Sequence, residues 1–251
     1  MKGRLIASAL AAVPMLAIAV AAQAADVLLP AHKSPPPQPL VSTNWSGLYF
    51  GAHAGAGWGS TNADFNDSIL ALRWDSAIPI NGPLVGGQIG YNWQSGWFVY
   101  GLEADGSWSN IVGHGLCNTT AFFMNCSSKV EGVATFTGRI GATVERALIY
   151  LKGGGAWARD SETISNVAQA PFATAFSSNT SVNRWGWTLG MGLEYAFLPN
   201  WSAKIEYDFI DFGSQIYNFP VTSTAVGPTN FANWSYTVMV HEMKLGVNYH
   251  F

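Results

Sequence analysis

The sequence predicts an all-β fold: an eight-stranded antiparallel up-and-down transmembrane β-barrel. Three observations lead to this prediction. Only 11% of the 251 residues are charged and 14% are aromatic, whereas an average soluble domain carries about 25% charged residues. Long stretches alternate apolar residues with polar residues or glycine at a period of two, as strands do when only one face meets lipid. The connections between these stretches alternate between short and long.

The first 24 residues have the features of a secretory signal peptide. Lys2 and Arg4 precede an apolar run over residues 5–20, and Ala22-Gln23-Ala24 is a small-residue cleavage site. A membrane anchor is the alternative, because the run approaches spanning length. Pro14 within the run and the cleavage site disfavour that alternative. We therefore expect residues 1–24 to be removed on export from the bacterial cytoplasm.

Residues 25–44 are predicted to form a periplasmic tether, and residues 45–251 the barrel. The tether is rich in proline, which favours a stiff, extended chain over a packed element. A Pro-rich recognition motif is the alternative interpretation of this segment. The prolines concerned are Pro30, Pro35, Pro36, Pro37 and Pro39.

Eight strands are predicted within the barrel, at about 45–58, 83–93, 97–108, 130–144, 147–158, 184–197, 201–212 and 237–251. The seventh shows the alternation best. One face carries Trp201, Ala203, Ile205, Tyr207 and Phe209, and the other carries Ser202, Lys204, Glu206 and Asp208. A shift of one residue would exchange the two faces.

The connections after the second, fourth and sixth strands are tight turns, and the others are about 20 residues or longer. Short turns on one rim and long loops on the other are typical of outer-membrane barrels. Most tryptophans fall near strand ends, where aromatic girdles meet the bilayer interfaces. A soluble β-sandwich or lipocalin-like barrel is the alternative, but core packing would not gather aromatics at strand ends. The tryptophans concerned are Trp45, Trp58, Trp93, Trp97, Trp108, Trp157, Trp185, Trp187 and Trp201.

Charged residues are predicted to line the barrel interior. On the opposite face many would meet hydrocarbon, where a midplane Lys or Arg costs about 2 to 4 kcal/mol. An eight-stranded barrel is just wide enough to be filled by side chains, so we expect a plugged lumen. A proton or cation path is the alternative, because acidic residues outnumber basic ones. The predicted set is Glu103, Asp105, Glu131, Arg139, Lys152, Glu194, Lys204, Glu206, Asp208, Glu242 and Lys244.

The sequence predicts no catalytic residue, no cofactor and no metal site. Glu103 with Asp105 has the spacing of an acid/base couple, as does Glu206 with Asp208, but the inward face of a strand gives the same spacing. His241-Glu242 lacks the second histidine of a zinc protease motif. His53 and His114 are weak candidates for a haem or metal ligand; a hydrogen-bonded lumen group and a solvated loop residue are the alternatives.

Cys117 and Cys126 lie in a polar loop, where an oxidising periplasm favours one disulfide. A reactive thiol or a metal-binding pair is the alternative. The chain has 15 acidic and 12 basic residues, and the predicted signal peptide holds two of the basic ones. This charge balance disfavours nucleic acid as a partner, because its recognition depends on basic side chains.

Three short motifs resemble those of the small outer-membrane β-barrel family, which includes OmpA-type barrels, opacity-like proteins and immunogenic outer-membrane proteins of Gram-negative bacteria. They are Asn44-Trp45-Ser46-Gly47-Leu48-Tyr49-Phe50-Gly51, Gly90-Tyr91-Asn92-Trp93 and Val247-Asn248-Tyr249-His250-Phe251. The resemblance implies that Phe251 belongs to a signal for the barrel-assembly machinery. It also implies location in the outer membrane among its lipids.

The expected role is a structural, surface-exposed one in the cell envelope, without catalysis. A narrow porin-like channel and a surface protein that binds haem or another small ligand are the alternatives. An outer-membrane enzyme is a third hypothesis, for which the sequence supplies no Ser/His/Asp site. Peptidoglycan is a candidate partner of the tether, which the sequence does not decide.

Overall fold

The computed structural model describes residues 43–67, 72–118, 123–166, 177–217, 220–223, 227–230 and 234–251. All of them belong to one compact unit, Leu40–Phe251. The predicted signal peptide and nearly all of the predicted tether lie outside these ranges. No helix within them is long and apolar enough to span a bilayer.

The described residues form ten strands, and eight of them close into an antiparallel barrel with the order β1-β10-β7-β6-β5-β4-β3-β2. The remaining two, β8 and β9, pair with each other. The prediction of eight antiparallel barrel strands is confirmed. The strands are β1 Gly47–Asp67, β2 Leu72–Ser95, β3 Phe98–Asn118, β4 Phe123–Val144, β5 Ala147–Asn166, β6 Ser177–Leu198, β7 Trp201–Tyr217, β8 Pro220–Ser223, β9 Gly227–Asn230 and β10 Trp234–His250.

The barrel is sealed where its first and last strands meet. β1 pairs with β10 from Tyr49 opposite His250 to Phe65 opposite Trp234. The Phe251 amide donates a further hydrogen bond to the Leu48 carbonyl at 3.0 Å. Closure satisfies the backbone groups that a sheet edge would otherwise expose to hydrocarbon.

Two-residue turns connect the strands at one rim, as the sequence predicts. Gly96-Trp97 joins β2 to β3, Glu145-Arg146 joins β4 to β5, and Pro199-Asn200 joins β6 to β7. Gly96 and Glu145 adopt φ angles of 61° and 53°. This left-handed conformation matches the twist of paired strands in a tight hairpin.

At the opposite rim, here called the outer rim, the strands continue well beyond their predicted ends. β1 runs to Asp67 and β3 to Asn118, so that only residues 68–71 and 119–122 connect them to the next strands. The expectation of long connections after these two strands is wrong. Beyond the membrane the outward face carries polar side chains such as Ser60 and Asn62 on β1 and Asn110 and His114 on β3. The apolar signal on that face therefore ends while the backbone pairing continues.

The two faces of the barrel wall differ as predicted. On β7 the Lys204 side chain is 3% exposed, whereas Ile205 is 42% exposed and faces outward. Large apolar side chains are exposed on all eight barrel strands, as a lipid-facing surface requires. Among them are Leu48, Val85, Ile89, Leu102, Phe136, Leu151, Leu189, Ile205 and Leu245.

Aromatic residues gather at two levels of this outward surface. Trp93, Trp97 and Trp201 lie near the short turns, and Trp58, Trp108, Trp157, Trp185 and Trp187 form an outer aromatic ring. The expectation that Trp45 belongs to an aromatic girdle is wrong. Its side chain is 1% exposed and its indole meets the His250 ring edge-on at 5.4 Å. The residue precedes β1, so strand alternation does not fix its direction, and it packs inside the short-turn end of the barrel.

Candidate functional site: the filled barrel interior

The barrel interior is filled by side chains arranged in layers. Along β5 from the short-turn end, Lys152 lies in a charged layer, Ala156 and Ala158 lie in an apolar layer, and Asp160 and Glu162 lie in an outer polar layer. The same order appears on β10, and on β7 the charged layer is likewise followed by the apolar layer. Each layer draws side chains from several strands, because inward positions recur every second residue.

Lys152 is the centre of the charged layer. Its ammonium lies 3.2 Å from Glu103 Oε1, 3.2 Å from Asp105 Oδ2, 2.8 Å from Glu206 Oε1 and 3.5 Å from Asp208 Oδ2. Glu103, Asp105 and Glu206 are close enough together to hold a metal ion. The lysine ammonium already supplies the positive charge at that point. The three carboxylates therefore form a site for Lys152 rather than an acid/base couple.

Lys244 is a second buried cation beside this centre. Its ammonium lies 2.8 Å from Asp208 Oδ2, 3.2 Å from Glu242 Oε2 and 3.3 Å from Asp105 Oδ1. Lys204 adds contacts of 3.2 Å to Glu206 and 3.6 Å to Glu103. Charges removed from water need several such partners to offset their lost hydration. The layer thus holds its charges in a fixed, mutually compensating arrangement.

Arg139 closes the charged layer on its short-turn side. Its guanidinium lies 4.4 Å from the ring centre of Tyr49 and 5.1 Å from that of Tyr150, within cation–π range. It also lies 3.5 Å from both Glu103 and Glu194. The phenols donate hydrogen bonds to carboxylates, Tyr49 to Glu103 at 2.7 Å and Tyr150 to Glu206 at 2.6 Å.

Inward glycines make room for these large side chains. A Cβ at Gly90 would lie 2.1 Å from the Tyr49 hydroxyl, and one at Gly192 would lie 2.3 Å from the Tyr150 ring. Glycine at these two positions permits the close approach of a phenol to the facing backbone. These two strand glycines therefore belong to the packing of the lumen.

Glu131 is the one member of the predicted lumen set that faces outward. Its side chain is 38% exposed and lies 3.4 Å from Arg159 on the outer surface. The register of β4 against β5 shifts between Val130 and Gly132. The extra residue of this β-bulge reverses the alternation, so odd-numbered positions face inward only on the short-turn side of it. The prediction for Glu131 is wrong for this reason.

His53 is a buried lumen residue with both ring nitrogens engaged. Nδ1 contacts Gln88 Oε1 and Nε2 lies 2.7 Å from Ser107 Oγ. Gln88 in turn donates to Asn248 Oδ1 at 2.6 Å. This arrangement leaves neither nitrogen free for a metal or haem iron, and His53 acts as a hydrogen-bonded filler.

An apolar layer separates the charged layer from the outer rim. On β7, Ile210 and Phe212 follow Asp208, and on β10, Val240 and Val238 precede Glu242. All of these apolar side chains are 3% exposed or less. The layer comprises Ile80, Ile111, Val130, Val133, Ala156, Ala158, Ile210, Phe212, Val238 and Val240.

A buried polar cluster lies beyond the apolar layer, near the outer rim. Arg184 Nε donates to Asp160 Oδ2 at 2.8 Å, and another guanidinium nitrogen donates to the Tyr236 carbonyl at 3.0 Å. Ser128 donates to Glu162 Oε1 at 2.8 Å. These side chains are 2% exposed or less and join four strands. Their hydrogen bonds connect the strands of the barrel wall just outside the membrane.

Glu162 lies five residues beyond Trp157 of the outer aromatic ring, outside the membrane-spanning part of β5. Burial, followed by the neighbouring charge of Asp160, raises the pKa of the Glu162 carboxyl to about 8 from an ordinary 4.5. The carboxyl is therefore protonated at neutral pH. With Glu162 protonated, the charge of the Asp160 carboxylate balances that of the Arg184 guanidinium.

We expect the free energy of unfolding to fall as the pH rises from about 4.5 to about 8, because the unfolded chain releases the Glu162 proton earlier than the folded chain does. Glu162→Gln removes this titration and should flatten that part of the profile. Urea unfolding of both proteins at about pH 5 and about pH 8 measures the difference. If the free energy of unfolding changed equally between the two pH values in both proteins, the raised pKa of Glu162 would be contradicted.

The match to a family model follows the barrel along its whole length. Residues 8–251 match the model described as outer membrane protein beta-barrel domain. The chain belongs to this outer-membrane β-barrel family. The match agrees with the closed eight-stranded ring and its apolar exterior, and it places the protein in the bacterial outer membrane.

Curated relatives of this outer-membrane barrel carry related names. A 31 kDa outer-membrane immunogenic protein of Brucella melitensis is 30% identical over 239 residues, which cover 93% of this chain and 95% of the relative. A 25 kDa outer-membrane immunogenic protein of Brucella abortus is 27% identical, with coverage of 89% and 90%.

Solved structures show the same fold at low sequence identity. The outer membrane protease OmpT from Escherichia coli superposes with a TM-score of 0.53 at 10% identity, covering 84% of this chain and 98% of that one. The outer membrane protein OprG from Pseudomonas aeruginosa gives a TM-score of 0.50 at 12% identity, covering 83% and 99%. At these identities the likeness concerns the fold alone.

The remaining predicted residues of the outer-membrane barrel lie near its two ends. Cys126 is disulfide-bonded; its pairing with Cys117 stays a prediction, because the Cys117 side chain is not among those described. Phe251 is 66% exposed, and its ring lies 5.5 Å from that of Phe50. Its role as an assembly signal stays a prediction, as do contacts with the assembly machinery, peptidoglycan and haem.

Sequence reasoning missed several interior residues of the outer-membrane barrel. Arg184 shares the alternation of Gly186 and Glu194, so the signal was present in the predicted sixth strand. Asp160 and Glu162 lie beyond the predicted end of the fifth strand at residue 158. A uniform continuation of the alternation past the apolar stretch would have found both.

Proposed function

We propose that this protein is a structural, surface-exposed component of the outer membrane whose barrel does not conduct ions and does not catalyse a reaction. The apolar layer across the interior carries this proposal. It lies between two polar layers, so an ion that crossed the barrel would have to pass a ring of buried aliphatic and aromatic groups.

The charged layer supports the same proposal. An ion path needs sites that bind weakly enough to release their ion. The Lys152 ammonium instead lies within 3.5 Å of four carboxylates, and its side chain is fully buried. The Lys152 ammonium cannot move away without leaving buried carboxylates unpaired, so the layer connects the strands in a fixed arrangement.

The absence of catalysis rests on how the interior carboxylates are used. Glu103, Asp105 and Glu206 each contact at least two buried cations, and none is open to a substrate. The likeness to a protease concerns the fold alone. The relatives named as immunogenic support exposure of the outer rim at the cell surface, where its loops would meet antibodies.

Planar-bilayer recording tests the proposal. Folded protein, identified by its altered migration on unboiled gels, should give no current above a protein-free bilayer, while a general porin inserted in the same bilayers gives discrete steps. Steps of constant size from the folded wild-type protein would contradict a closed barrel. The lipid-face variant Leu151→Arg and the lumen variant Lys152→Met test the structural part independently.

A further inference from the structure

The outer wall of β3 to β6 changes character above the outer aromatic ring. Below it the exposed side chains are apolar; above it they are mostly amides and hydroxyls. Arg159 follows Trp157 by two residues on the outward face of β5, about 5 Å higher at the usual rise and tilt. This part of the wall therefore lies at the level of the lipid headgroups. Its outward residues include Asn110, His114, Asn125, Ser127, Thr163, Asn179, Ser181 and Asn183.

Two basic side chains lie on this wall on adjacent strands. Arg159 is 59% exposed and pairs with Glu131 at 3.4 Å, an exposed contact. Lys129 lies on the same outward face of β4, opposite Ser161. Exposed pairs of this kind are weak, about 0 to 1 kcal/mol, so Arg159 can exchange Glu131 for an anionic ligand.

An open position lies between Arg159 and a tryptophan. Trp108 pairs with Gly132 across β3 and β4, and Gly132 pairs with Arg159 across β4 and β5. Trp108 is 78% exposed, and a Cβ at Gly132 would meet only the Ser107 carbonyl, at 3.4 Å. The indole and the guanidinium thus flank a shallow recess at the membrane interface.

A surface cavity of about 380 Å³ lies higher on the same strands. Its lining combines imidazole, amide and hydroxyl groups, which suit the hydroxyls of a sugar and leave no carboxylate to repel a phosphate. The lining residues are His114, Gly115, Asn125, Cys126, Ser127, Thr163 and Ser165.

The opposite side of the barrel differs in charge at this level. There the Asp211 carboxylate accepts a hydrogen bond from the Gly213 amide at 2.8 Å. His241 bonds to the Tyr207 hydroxyl at 2.7 Å and stacks on Trp58. Among the described side chains, Lys and Arg at the outer interface occur on β4 and β5 and not on β7 or β10.

We propose that the β3–β6 wall binds the headgroup of a phosphorylated glycolipid of the outer leaflet. Lys129 and Arg159 contact its phosphate, as basic pockets beside a membrane do with lipid headgroups. The indole of Trp108 lies at the boundary between acyl chains and headgroup, and the amides and hydroxyls of the cavity bind the sugars above. This site is independent of the closed interior and goes beyond the structural role.

Binding of purified lipopolysaccharide to the folded barrel in lipid nanodiscs tests the site. Lys129→Gln with Arg159→Gln should weaken binding by at least about tenfold, because about tenfold corresponds to the loss of a single charge-assisted hydrogen bond and the variant removes two. Arg146→Gln, which removes an exposed basic group at the short-turn rim, should leave binding unchanged. Glu131→Gln should strengthen binding, because it frees Arg159 and removes a negative charge.

Two further probes separate the phosphate from the sugar. Dephosphorylated lipopolysaccharide should bind the wild-type barrel as weakly as intact lipopolysaccharide binds the double variant. Asn125→Ala with Thr163→Ala should weaken binding of lipopolysaccharide but not of phosphatidylglycerol. Equal affinity of the wild type and the Lys129/Arg159 variant would overturn the proposal, and so would phosphatidylglycerol competing as well as lipopolysaccharide.

Discussion

Lys152→Met is expected to destabilise the folded barrel by about 3 to 5 kcal/mol, the range for removing one partner of a buried ion pair. Methionine fills a similar volume but carries no charge. The four carboxylates within 3.5 Å of the Lys152 ammonium would then face one another with less compensation. Urea unfolding in lipid vesicles, followed by tryptophan fluorescence, measures the loss.

Lys129→Met provides the matched control, because it makes the same chemical change on the partly exposed outer wall. Its effect should stay within about 0.5 kcal/mol, as for ordinary surface positions. Adding Glu206→Gln to Lys152→Met removes one of the carboxylates that lost the Lys152 ammonium, and should recover part of the lost stability. An equal, small effect of Lys152→Met and Lys129→Met would show that the charged layer contributes little.

Leu151→Arg is expected to destabilise the barrel by about 2 to 4 kcal/mol, because it places a charge on the lipid face near the bilayer midplane. Leu151 is 54% exposed and adjoins the buried Lys152. The first position therefore requires an apolar side chain and the next a charged one. The measurement is the urea midpoint in vesicles, with the unfolding slope checked for change.

Thr163→Arg is the control for this variant, on the same strand and the same outward face but above the outer aromatic ring. Near the interface a basic substitution costs about 0 to 1 kcal/mol. The two arginines therefore differ in depth rather than in chemistry. If Thr163→Arg destabilised the barrel as much as Leu151→Arg does, the wall at residue 151 would not face hydrocarbon.

The sequence predicted the barrel and its charged interior because one physical constraint acts on every strand. Hydrocarbon on one side and a confined lumen on the other force a period of two, and Lys204 beside Ile205 shows it directly. Ten of the eleven predicted interior charges are buried in the lumen. The constraint is strong enough to be visible without knowledge of any contact.

The parts that sequence reasoning missed are those where this constraint is absent or interrupted. The bulge at Glu131 reverses the alternation, and a bulge is fixed by pairing between strands. Trp45 lies before β1, where no alternation applies. Asp160 and Glu162 extend the interior above the membrane, where the outward face is no longer apolar.

The contacts within the interior were also beyond sequence reasoning. Alternation places Glu103, Arg139 and Lys152 on the inner face of their strands but gives no register between strands. The shared coordination of Lys152 depends on the register and tilt of five strands at once. Asn92, Gln88 and Asn248 carry no charge, so nothing in the pattern distinguished them from other polar residues.

Isoleucine methyl NMR of the folded barrel in nanodiscs tests the central claim most directly, since isoleucines occur on both faces of the wall. Ile89, Ile140, Ile149 and Ile205 are exposed outward, whereas Ile80, Ile111 and Ile210 lie in the apolar layer. Spin-labelled lipid should broaden the first group only, and a water-soluble paramagnetic chelate should reach neither group. Broadening of Ile111 and Ile210 by the lipid label would contradict the assigned faces, and broadening by the chelate would contradict a closed interior.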